Sequence, residues 1–352
     1  MKKLFSLLLL FIILSSCSIN NNIEKEIDSI FSEFQNGSTP GLSITILNDG
    51  KIVYQKGIGY ADLANKTKVE PKTNFRLASI TKQFTAMSIL ILESDDKLLL
   101  EDKITKYFPE LSKYASEISI KNIIQHTSGL PDYESLADKQ DLAQLKDKDV
   151  LEILSNQDSL YFNPGTKHRY SNSGYAILAL LVERLSGLSY AKFLEQQIFI
   201  PIKMNNTVAF ENGISIVTNR AFGYTKTDSG FVDSDQSKYS AVLGDGGIYS
   251  SIIDLQKWDN EINNPTLLPK EKFDRIFIKG KTNAGEEFDY GYGWRLDPYK
   301  NYERHYHTGG TSGFSNIYMK LPEFDLTIIV LINLYDYDAK GYAEQIADLL
   351  IY

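Results

Sequence analysis

Strand patterns lie at both ends of the chain, and a long stretch that looks mostly helical and loop-rich separates them. Near the N-terminus, Leu42–Leu47 and Lys51–Gly57 flank the sequence Asn48-Asp49-Gly50, which is typical of the turn of a β-hairpin. Three further strand patterns lie near the C-terminus, and a proline-containing turn separates the last two. These patterns are His305 to Gly309, Ser315–Leu321 and Leu326–Asn333.

The two groups of strands predict one antiparallel sheet of about five strands, built from both ends of the chain. Apolar residues at helical spacing predict an amphipathic helix over about residues 23–34, and a final helix over about 339–350. We therefore predict an α+β fold, an α/β sandwich plus a helical domain, with terminal helices flanking the sheet. The sheet subdomain would comprise residues 23–75 and 288–352, and the mainly helical insertion residues 76–287.

The N-terminal residues are predicted to lie outside the folded unit. Two lysines precede the apolar run Leu4 to Leu14, which is too short to span a bilayer and is typical of a signal peptide. The run ends in Leu14-Ser15-Ser16-Cys17, which resembles a bacterial lipobox with Cys17 as the lipidated residue. An ordinary secretory signal with an incidental cysteine is the alternative. We predict a lipoprotein signal peptide over residues 1–16 and a tether over 17–22, and hence a bacterial envelope protein attached to a membrane by lipid.

Charge and composition narrow the class of partner. The formal net charge is −8 and the pI is about 5.2, whereas a nucleic-acid-binding protein presents a basic face. The 43% hydrophobic content is ordinary for a globular protein, and the single cysteine excludes an internal disulfide framework. We therefore predict a small-molecule or peptide substrate and no nucleic-acid partner, while the oligomeric state stays open.

Ser79 and Lys82 lie three residues apart at a predicted helix start. A serine hydroxyl is a poor nucleophile at neutral pH until a neighbouring group takes its proton. Positions i and i+3 share one face of a helix, so the lysine amine can reach the hydroxyl. The pair alone is a weak signal because both residue types are common, and it gains weight only from further motifs downstream.

Two downstream motifs are candidates for the same site. Tyr170-Ser171-Asn172 lies in a loop before a predicted apolar helix, where side chains can project into a cleft. The alternative, in which the motif has only a structural role, is a surface turn capped by Asn172 or Ser173. His307-Thr308-Gly309-Gly310 lies at a predicted strand end, where missing side chains let a substrate approach the backbone. The structural alternative for this motif is a strand that ends in a glycine loop.

With these motifs in this order, the chain resembles the serine β-lactamase and penicillin-binding-protein superfamily, and within it the class C-like branch. That branch includes class C β-lactamases, DD-peptidases, D-aminopeptidases and esterases. The resemblance covers about residue 24 to the C-terminus, and it implies a single β-lactamase/transpeptidase-like unit over residues 23–352. Three further segments carry it: His126-Thr127-Ser128-Gly129-Leu130, Ile198 to Met204, and Gly244 to Ser250.

The resemblance implies a role for each motif residue. Ser79 would attack a carbonyl and become acylated, while Lys82 and Tyr170 would share the work of the base; which of them takes the proton is disputed in this superfamily. Tyr170 would also pass a proton to the leaving group. Backbone N–H groups of Ser79 and Gly310 would form the oxyanion hole. The substrate-binding and oxyanion residues implied in this way are Asn172, His307, Thr308, Gly309 and Gly310.

His307 departs from the pattern of many β-lactamases, which carry lysine at this position. A histidine titrates near pH 6.5 unless perturbed, so we expect catalysis or carboxylate recognition to depend on pH around 6 to 7. Histidine also occurs here among the peptidases and esterases of the branch. Histidine in place of lysine therefore makes a dedicated β-lactamase the less favoured prediction, and we keep it as the alternative.

Rival chemistries lack their motifs. The sequence has no Gly-x-Ser-x-Gly elbow of an α/β-hydrolase and no His-Glu-x-x-His zinc motif. We predict no metal and no organic cofactor, and a serine hydrolase for small amides or esters, above all peptides with D-amino acids. The loops 132–149 and 222–242 would set the size of the substrate. A non-catalytic envelope receptor that binds ligand without turnover is the alternative of another class.

The lipidation hypothesis has a direct test. Metabolic labelling with a fatty-acid probe should tag the protein, and Cys17→Ala should abolish the tag because it removes the only thiol in the chain. A tag that survives this substitution would contradict lipidation at Cys17.

Overall fold

The structure is a computed structural model and describes residues 21–35, 37–138 and 143–351. The predicted signal peptide, Cys17 and most of the predicted tether lie outside the described residues. No helix in the described ranges is long and apolar enough to cross a bilayer.

The described ranges contain fourteen strands, of which five form the main sheet and the others short two- or three-stranded ribbons. In chain order they are β1 (Leu42–Asn48), β2 (Lys51–Ile58), β3 (Tyr60–Asp62), β4 (Thr67–Lys68), β5 (Phe75–Arg76), β6 (Val208–Ala209), β7 (Tyr224–Thr227), β8 (Gly230–Asp233), β9 (Ile248–Ser250), β10 (Gly280–Lys281), β11 (Glu287–Phe288), β12 (His305–Thr311), β13 (Phe314–Leu321) and β14 (Leu326–Ile332).

Eleven α-helices occur in the same ranges, and most of them lie between β5 and β12. They are α1 (Asn21–Ile30), α2 (Thr81–Ser94), α3 (Ile120–Ile124), α4 (Tyr133–Leu136), α5 (Asp147–Ser155), α6 (Asn172–Ser186), α7 (Tyr190–Leu194), α8 (Leu243–Gly246), α9 (Ile252–Asn263), α10 (Lys270–Phe273) and α11 (Ala339–Ile351).

The main sheet joins the two ends of the chain, as the sequence predicts. Its strand order is β12-β13-β14-β1-β2, and all neighbours are antiparallel. The register pairs Ile44 with Val330 at the junction between the N-terminal and C-terminal strands. The last strand in the chain is therefore at the centre of the sheet, and β12 is an edge strand.

Apolar residues cover both faces of the sheet, because both faces are packed. On one face Ile44 and Val330 pack with Ile27 of α1 and Ile346 of α11. On the other face Ile329 and Leu331 join the core of the helical region. Alternation along β14 sends successive side chains to the two cores. The terminal helices thus flank the sheet as predicted, and the boundaries drawn between the subdomains stay a prediction.

The edge strand β12 runs against the segment that carries Ser79. A Cβ atom at Gly309 would lie 2.0 Å from the carbonyl oxygen of Leu77, so a larger residue has no room there. The structure differs from the sequence prediction in one detail: β12 continues to Thr311, two residues beyond the predicted end at Gly309, so Gly310 also belongs to the strand. The turn falls instead at Gly313, where φ is +72°.

Asn333 ties the end of β14 to three neighbouring segments. Its side-chain oxygen accepts from the N–H of Gly41 at 2.6 Å, and its amide donates to the carbonyls of Tyr60, Ala61 and Phe222 at 2.8 to 3.3 Å. The residue is fully buried. It provides hydrogen-bond partners for buried backbone groups that lie beyond the ends of the strands.

We expect Asn333→Ala to lower the free energy of unfolding by about 3 kcal/mol, since several buried backbone groups lose their partner. Urea denaturation measures the loss, with Asn205→Ala as the control because that side chain is exposed. A loss below about 1 kcal/mol would contradict the expectation.

Candidate active site

The segment before α2 places Ser79 at a sharp bend. Ala78 has φ of +50°, in the left-handed region, and begins a 3-10 turn over Ala78–Ile80 that leads directly into α2. The bend leaves Ser79 half-buried while its neighbours are buried. One turn further on, Lys82 points back along the helix and its Nζ lies 3.1 Å from Ser79 Oγ. The predicted contact between the two side chains is present.

Lys82 is entirely buried, although it is a lysine. Its Nζ donates to the backbone carbonyl of Asp245 at 2.8 Å and lies 4.9 Å from the ring centroid of Tyr170. No described carboxylate forms an ion pair with it. A carbonyl dipole and aromatic faces hold this amine next to Ser79, so the site keeps it within reach of the serine proton without neutralising it with a carboxylate.

Two buried acids hold the turn that supplies this carbonyl. Asp147 accepts from the backbone N–H groups of Leu243 and Gly244, at 2.9 and 3.0 Å, where α8 begins. The carboxylate of Asp245 accepts from the hydroxyl of Tyr133 at 2.9 Å. Burial raises the pKa of Asp147 to about 7, and it raises the pKa of Asp245 to about 6 although Lys82 acts in the opposite direction.

Tyr170 precedes α6 and faces Lys82. Ser171 is the N-cap of α6, since its side chain accepts from the N–H of Gly174, so neither Asn172 nor Ser173 is the cap. The Tyr170 hydroxyl is buried and has no hydrogen-bond partner within the described ranges. A buried hydroxyl without a partner costs free energy unless a ligand satisfies it. The hydroxyl is therefore available to form a hydrogen bond with a bound ligand.

Asn172 lies at the start of α6, beside an acidic residue that the sequence analysis missed. Its Nδ2 donates to Glu134 Oε1 at 2.9 Å, while its Oδ1 is buried and without a partner in the described part of the chain. Glu134 fixes the amide so that the oxygen remains available as an acceptor. No motif marks Glu134, because it becomes a neighbour only through the packing of α4 beside α6.

His307 is held in its neutral form. Its Nδ1 lies 2.7 Å from the carbonyl of Thr308 and therefore bears the proton, while Nε2 accepts from the hydroxyl of Tyr290 at 3.1 Å. Burial first, and then the charges of Lys82 and Arg295, hold the pKa of His307 well below 6.5. The pH dependence predicted from this histidine is accordingly expected below pH 6, not between 6 and 7.

Arg295 is a further functional candidate that sequence reasoning missed. Its guanidinium carbon lies 5.3 Å from the ring centroid of Tyr170, and a β-bridge joins its backbone to Tyr306 of the edge strand. Its Nε is buried without a hydrogen-bond partner, and the guanidinium has no ion-pair partner among the residues described. A cation of this kind beside the catalytic candidates is a ready partner for an anionic ligand group.

An open cleft of ≈ 600 Å³ begins beside these residues. Its lining includes Asn172, Thr308, Gly310 and the segment 335–340. A Cβ atom at Gly310 would meet nothing within 4 Å, so the backbone there is open to a ligand. Gly310 lines the cleft, and the neighbouring Gly309 lies against Leu77 and Ala78, so the predicted oxyanion residues Ser79 and Gly310 belong to adjoining segments.

The three predicted motifs therefore converge on one site, through the contacts of Lys82 with Ser79 and Tyr170 and of Tyr170 with His307. His305 stacks on Phe277 at 4.0 Å and contacts Glu303, away from Ser79. Within residues 21–35, 37–138 and 143–351, no group of three or more His, Cys, Asp or Glu side chains is arranged to hold a metal.

Comparison with known families agrees with this geometry. The profile of the Beta-lactamase family matches residues 27–351. Among curated relatives, the chain is 30% identical over 330 residues to Penicillin-binding protein 4* of Bacillus subtilis (strain 168), covering 90% of this chain and 73% of that protein.

Solved structures share the fold. The octameric penicillin-binding protein homologue from Pyrococcus abyssi superposes with a TM-score of 0.81 at 26% identity, over 94% of this chain and 77% of that one. The D-amino acid amidase from Ochrobactrum anthropi SV3 superposes with a TM-score of 0.80 at 22% identity, over 94% and 99%. The second likeness concerns the fold alone.

Asp147 gives a pH-dependent stability prediction. Its carboxyl titrates near 3.8 when unfolded and near 7 when folded, so between these values the folded chain binds more protons. The associated stability is present at low pH and is lost as the pH rises through about 7. An asparagine at this position cannot titrate, so the stability advantage of the wild type over Asp147→Asn should shrink from about pH 4 to about pH 8, by up to roughly 4 kcal/mol.

Urea denaturation of both proteins at several pH values measures this difference. An advantage that stays constant over the whole range would contradict the raised pKa of Asp147, whatever the absolute stability of the variant.

Proposed function

The chain belongs to the beta-lactamase family, and from this premise we propose that it is a serine hydrolase that cleaves peptides ending in a D-amino acid through an acyl-enzyme on Ser79. The observation that carries the proposal is the 3.1 Å contact between Lys82 Nζ and Ser79 Oγ. A ligand-binding receptor would not need a buried amine against this hydroxyl, so the contact favours turnover.

The proposed acylation step uses the groups in contact. Ser79 Oγ forms a bond to the substrate carbonyl carbon while its proton passes to Lys82 or Tyr170. The carbonyl oxygen gains negative charge, which the backbone N–H groups of Ser79 and Gly310 would stabilise; one such donor is worth about 3 kcal/mol in the transition state. The bond to the leaving amine then breaks, and Tyr170 donates a proton to that amine; where Lys82 has taken the serine proton, it passes that proton to Tyr170, so both groups return to their starting state.

Deacylation follows the same route with water in place of the serine. Water attacks the ester carbon, its proton passes to the same base, and Ser79 Oγ recovers a proton as it leaves. The step yields the free acid and the resting enzyme, and the chain supplies every group that it needs.

Arg295 supports a substrate with a carboxylate on the leaving group. Its guanidinium lies beside Tyr170, the residue proposed to protonate that group, and has no anionic partner among the described residues. Neutral His307 leaves Arg295 as the cation available to a carboxylate there. A terminal D-amino acid provides such a carboxylate next to the scissile amide, whereas a simple ester does not.

We further propose that the protein works in the bacterial envelope, attached through lipid on Cys17. Short cell-wall peptides with terminal D-alanine are substrates that this location would supply.

The first test is release of free D-alanine from diacyl-Lys-D-Ala-D-Ala by the purified full-length protein, with Ser79→Ala as the control. We expect release by the wild type only. Arg295→Gln should raise KM for this peptide by at least about tenfold, since a charge-assisted contact to the carboxylate is lost, with a much smaller effect on the matched C-terminal amide.

The other outcomes have distinct meanings. Hydrolysis of phenyl acetate without release of D-alanine would favour an esterase, and hydrolysis of nitrocefin alone a β-lactamase. A wild type that a fluorophosphonate fails to label at Ser79 would favour a non-catalytic receptor. Equal effects of Arg295→Gln on acid and amide peptides would contradict the proposed carboxylate contact.

A further inference from the structure

His126 lies in the segment His126 to Leu130, whose role the proposed reaction leaves unexplained. The residue follows α3 and is completely buried. Its φ is +58°, in the left-handed region that disfavours residues with a Cβ atom. A strained conformation at a buried, non-glycine position indicates that the side chain itself is needed there.

The backbone on both sides of Tyr170 is bound to this one residue. The carbonyl of His126 accepts from the N–H of Arg169 at 2.9 Å. The ring nitrogen Nδ1 of His126 accepts from the N–H of Ser171 at 3.1 Å. The carbonyl and the ring of His126 thus bind the residues immediately before and after Tyr170, which are Arg169 and Ser171.

The ring of His126 also packs directly on the catalytic candidate. Its centroid lies 4.3 Å from the centroid of Tyr170, with the planes tilted by 37°. Lys82 lies against the same tyrosine ring, 4.9 Å from its centroid. The Tyr170 ring is therefore in contact with both the imidazole and the amine, and its hydroxyl keeps no hydrogen bond of its own among described residues.

The hydrogen bond from Ser171 fixes the tautomer of the imidazole. A ring nitrogen that accepts from a backbone N–H cannot bear a proton, so the proton of neutral His126 is on Nε2. Protonation of Nδ1 would turn the acceptor into a donor facing another donor. Burial lowers the pKa of His126, and Lys82 and His168 act in the same direction.

We infer that His126 is a positioning residue for Tyr170: it holds the peptide on both sides of the tyrosine, as the neutral Nε2–H tautomer, and so aims the phenol at Ser79 and Lys82. The inference rests on the proposed function, because it gives Tyr170 a part in proton transfer. His126 itself touches no reacting atom and acts only through the tyrosine.

Two variants separate the hydrogen bond from the backbone strain. His126→Asn keeps an acceptor near the position of Nδ1 and tolerates a positive φ, whereas His126→Gly tolerates the φ and loses the acceptor. We expect His126→Gly to slow fluorophosphonate labelling of Ser79 at least about tenfold, since misplacing a proton-transfer group costs at least that much. His126→Asn should recover most of this loss, while thermal unfolding checks that both variants are folded.

A double-mutant cycle with Tyr170→Phe tests whether His126 acts through the tyrosine. We expect Tyr170→Phe with His126→Gly to be no slower than Tyr170→Phe alone, because the group that His126 positions is already absent. The inference would be overturned if the double variant showed the product of the two single losses in labelling rate. Equal losses in labelling rate for His126→Asn and His126→Gly would also overturn it.

The tautomer is tested without any substrate. The chain has four histidines, so ¹⁵N-histidine NMR resolves few signals, and His126→Asn identifies the one that belongs to His126. We expect the neutral Nε2–H pattern from about pH 5.5 to about pH 8, since burial lowers the pKa of this imidazole. The groups that face the ring and set its titration are Lys82, His168, Tyr170, Tyr175, Tyr290, Arg295 and His307.

His305→Asn is the matched control, since His305 is also a buried histidine but stacks on Phe277 outside the site. It should leave the labelling rate and the His126 signal unchanged. A proton on Nδ1 of His126 overturns the inference even if the enzyme is active. If His126 has the expected tautomer but the fluorophosphonate does not label Ser79 of the wild type, the proposed function is contradicted. The contacts of His126 with the backbone around Tyr170 would then have no catalytic purpose.

Discussion

The buried side chain of Lys82 depends on an acceptor that belongs to the backbone, the carbonyl oxygen of Asp245. Removing an ammonium or amine from water is costly unless polar partners replace the solvent. The polar partners that replace the solvent here are this carbonyl and the hydroxyl of Ser79, and no described carboxylate forms an ion pair with the lysine. The position of this carbonyl is held by the short helix α8 and by the hydrogen bonds of Asp147 and Asp245. The bend at Ala78 places Ser79 beside the amine.

The remaining catalytic candidates are each held by a few local contacts. His126 brackets Tyr170, Glu134 fixes the amide of Asn172, and the edge strand lies against the nucleophile segment because Gly309 has no side chain. Several polar atoms at the candidate site are buried without a partner in the described residues, among them the Tyr170 hydroxyl and Asn172 Oδ1. A bound ligand can satisfy the hydrogen-bonding capacity that these atoms leave unused.

The sheet was predictable from sequence because recognisable turns separate its strand patterns and because β14 is almost continuously apolar. The nucleophile pair was predictable because a spacing of three residues becomes a contact on any helix. Arg295 and Glu134 were not, since each reaches the site through packing between segments distant in the chain. The positive φ of Ala78 and of His126 also has no local signature, because tertiary contacts impose it on residues that rarely adopt it.

The position of β14 bears on the order in which the protein is made. The nucleophile segment is synthesised early, yet β14, one of the last strands to be translated, must insert between β13 and β1 before β12 can be held at its edge. Contacts between distant parts of a chain form slowly. A chain that ends before β14 therefore contains Ser79 and Lys82 but lacks the strand that joins β12 and β13 to β1, so nothing in the main sheet fixes Gly310 beside them.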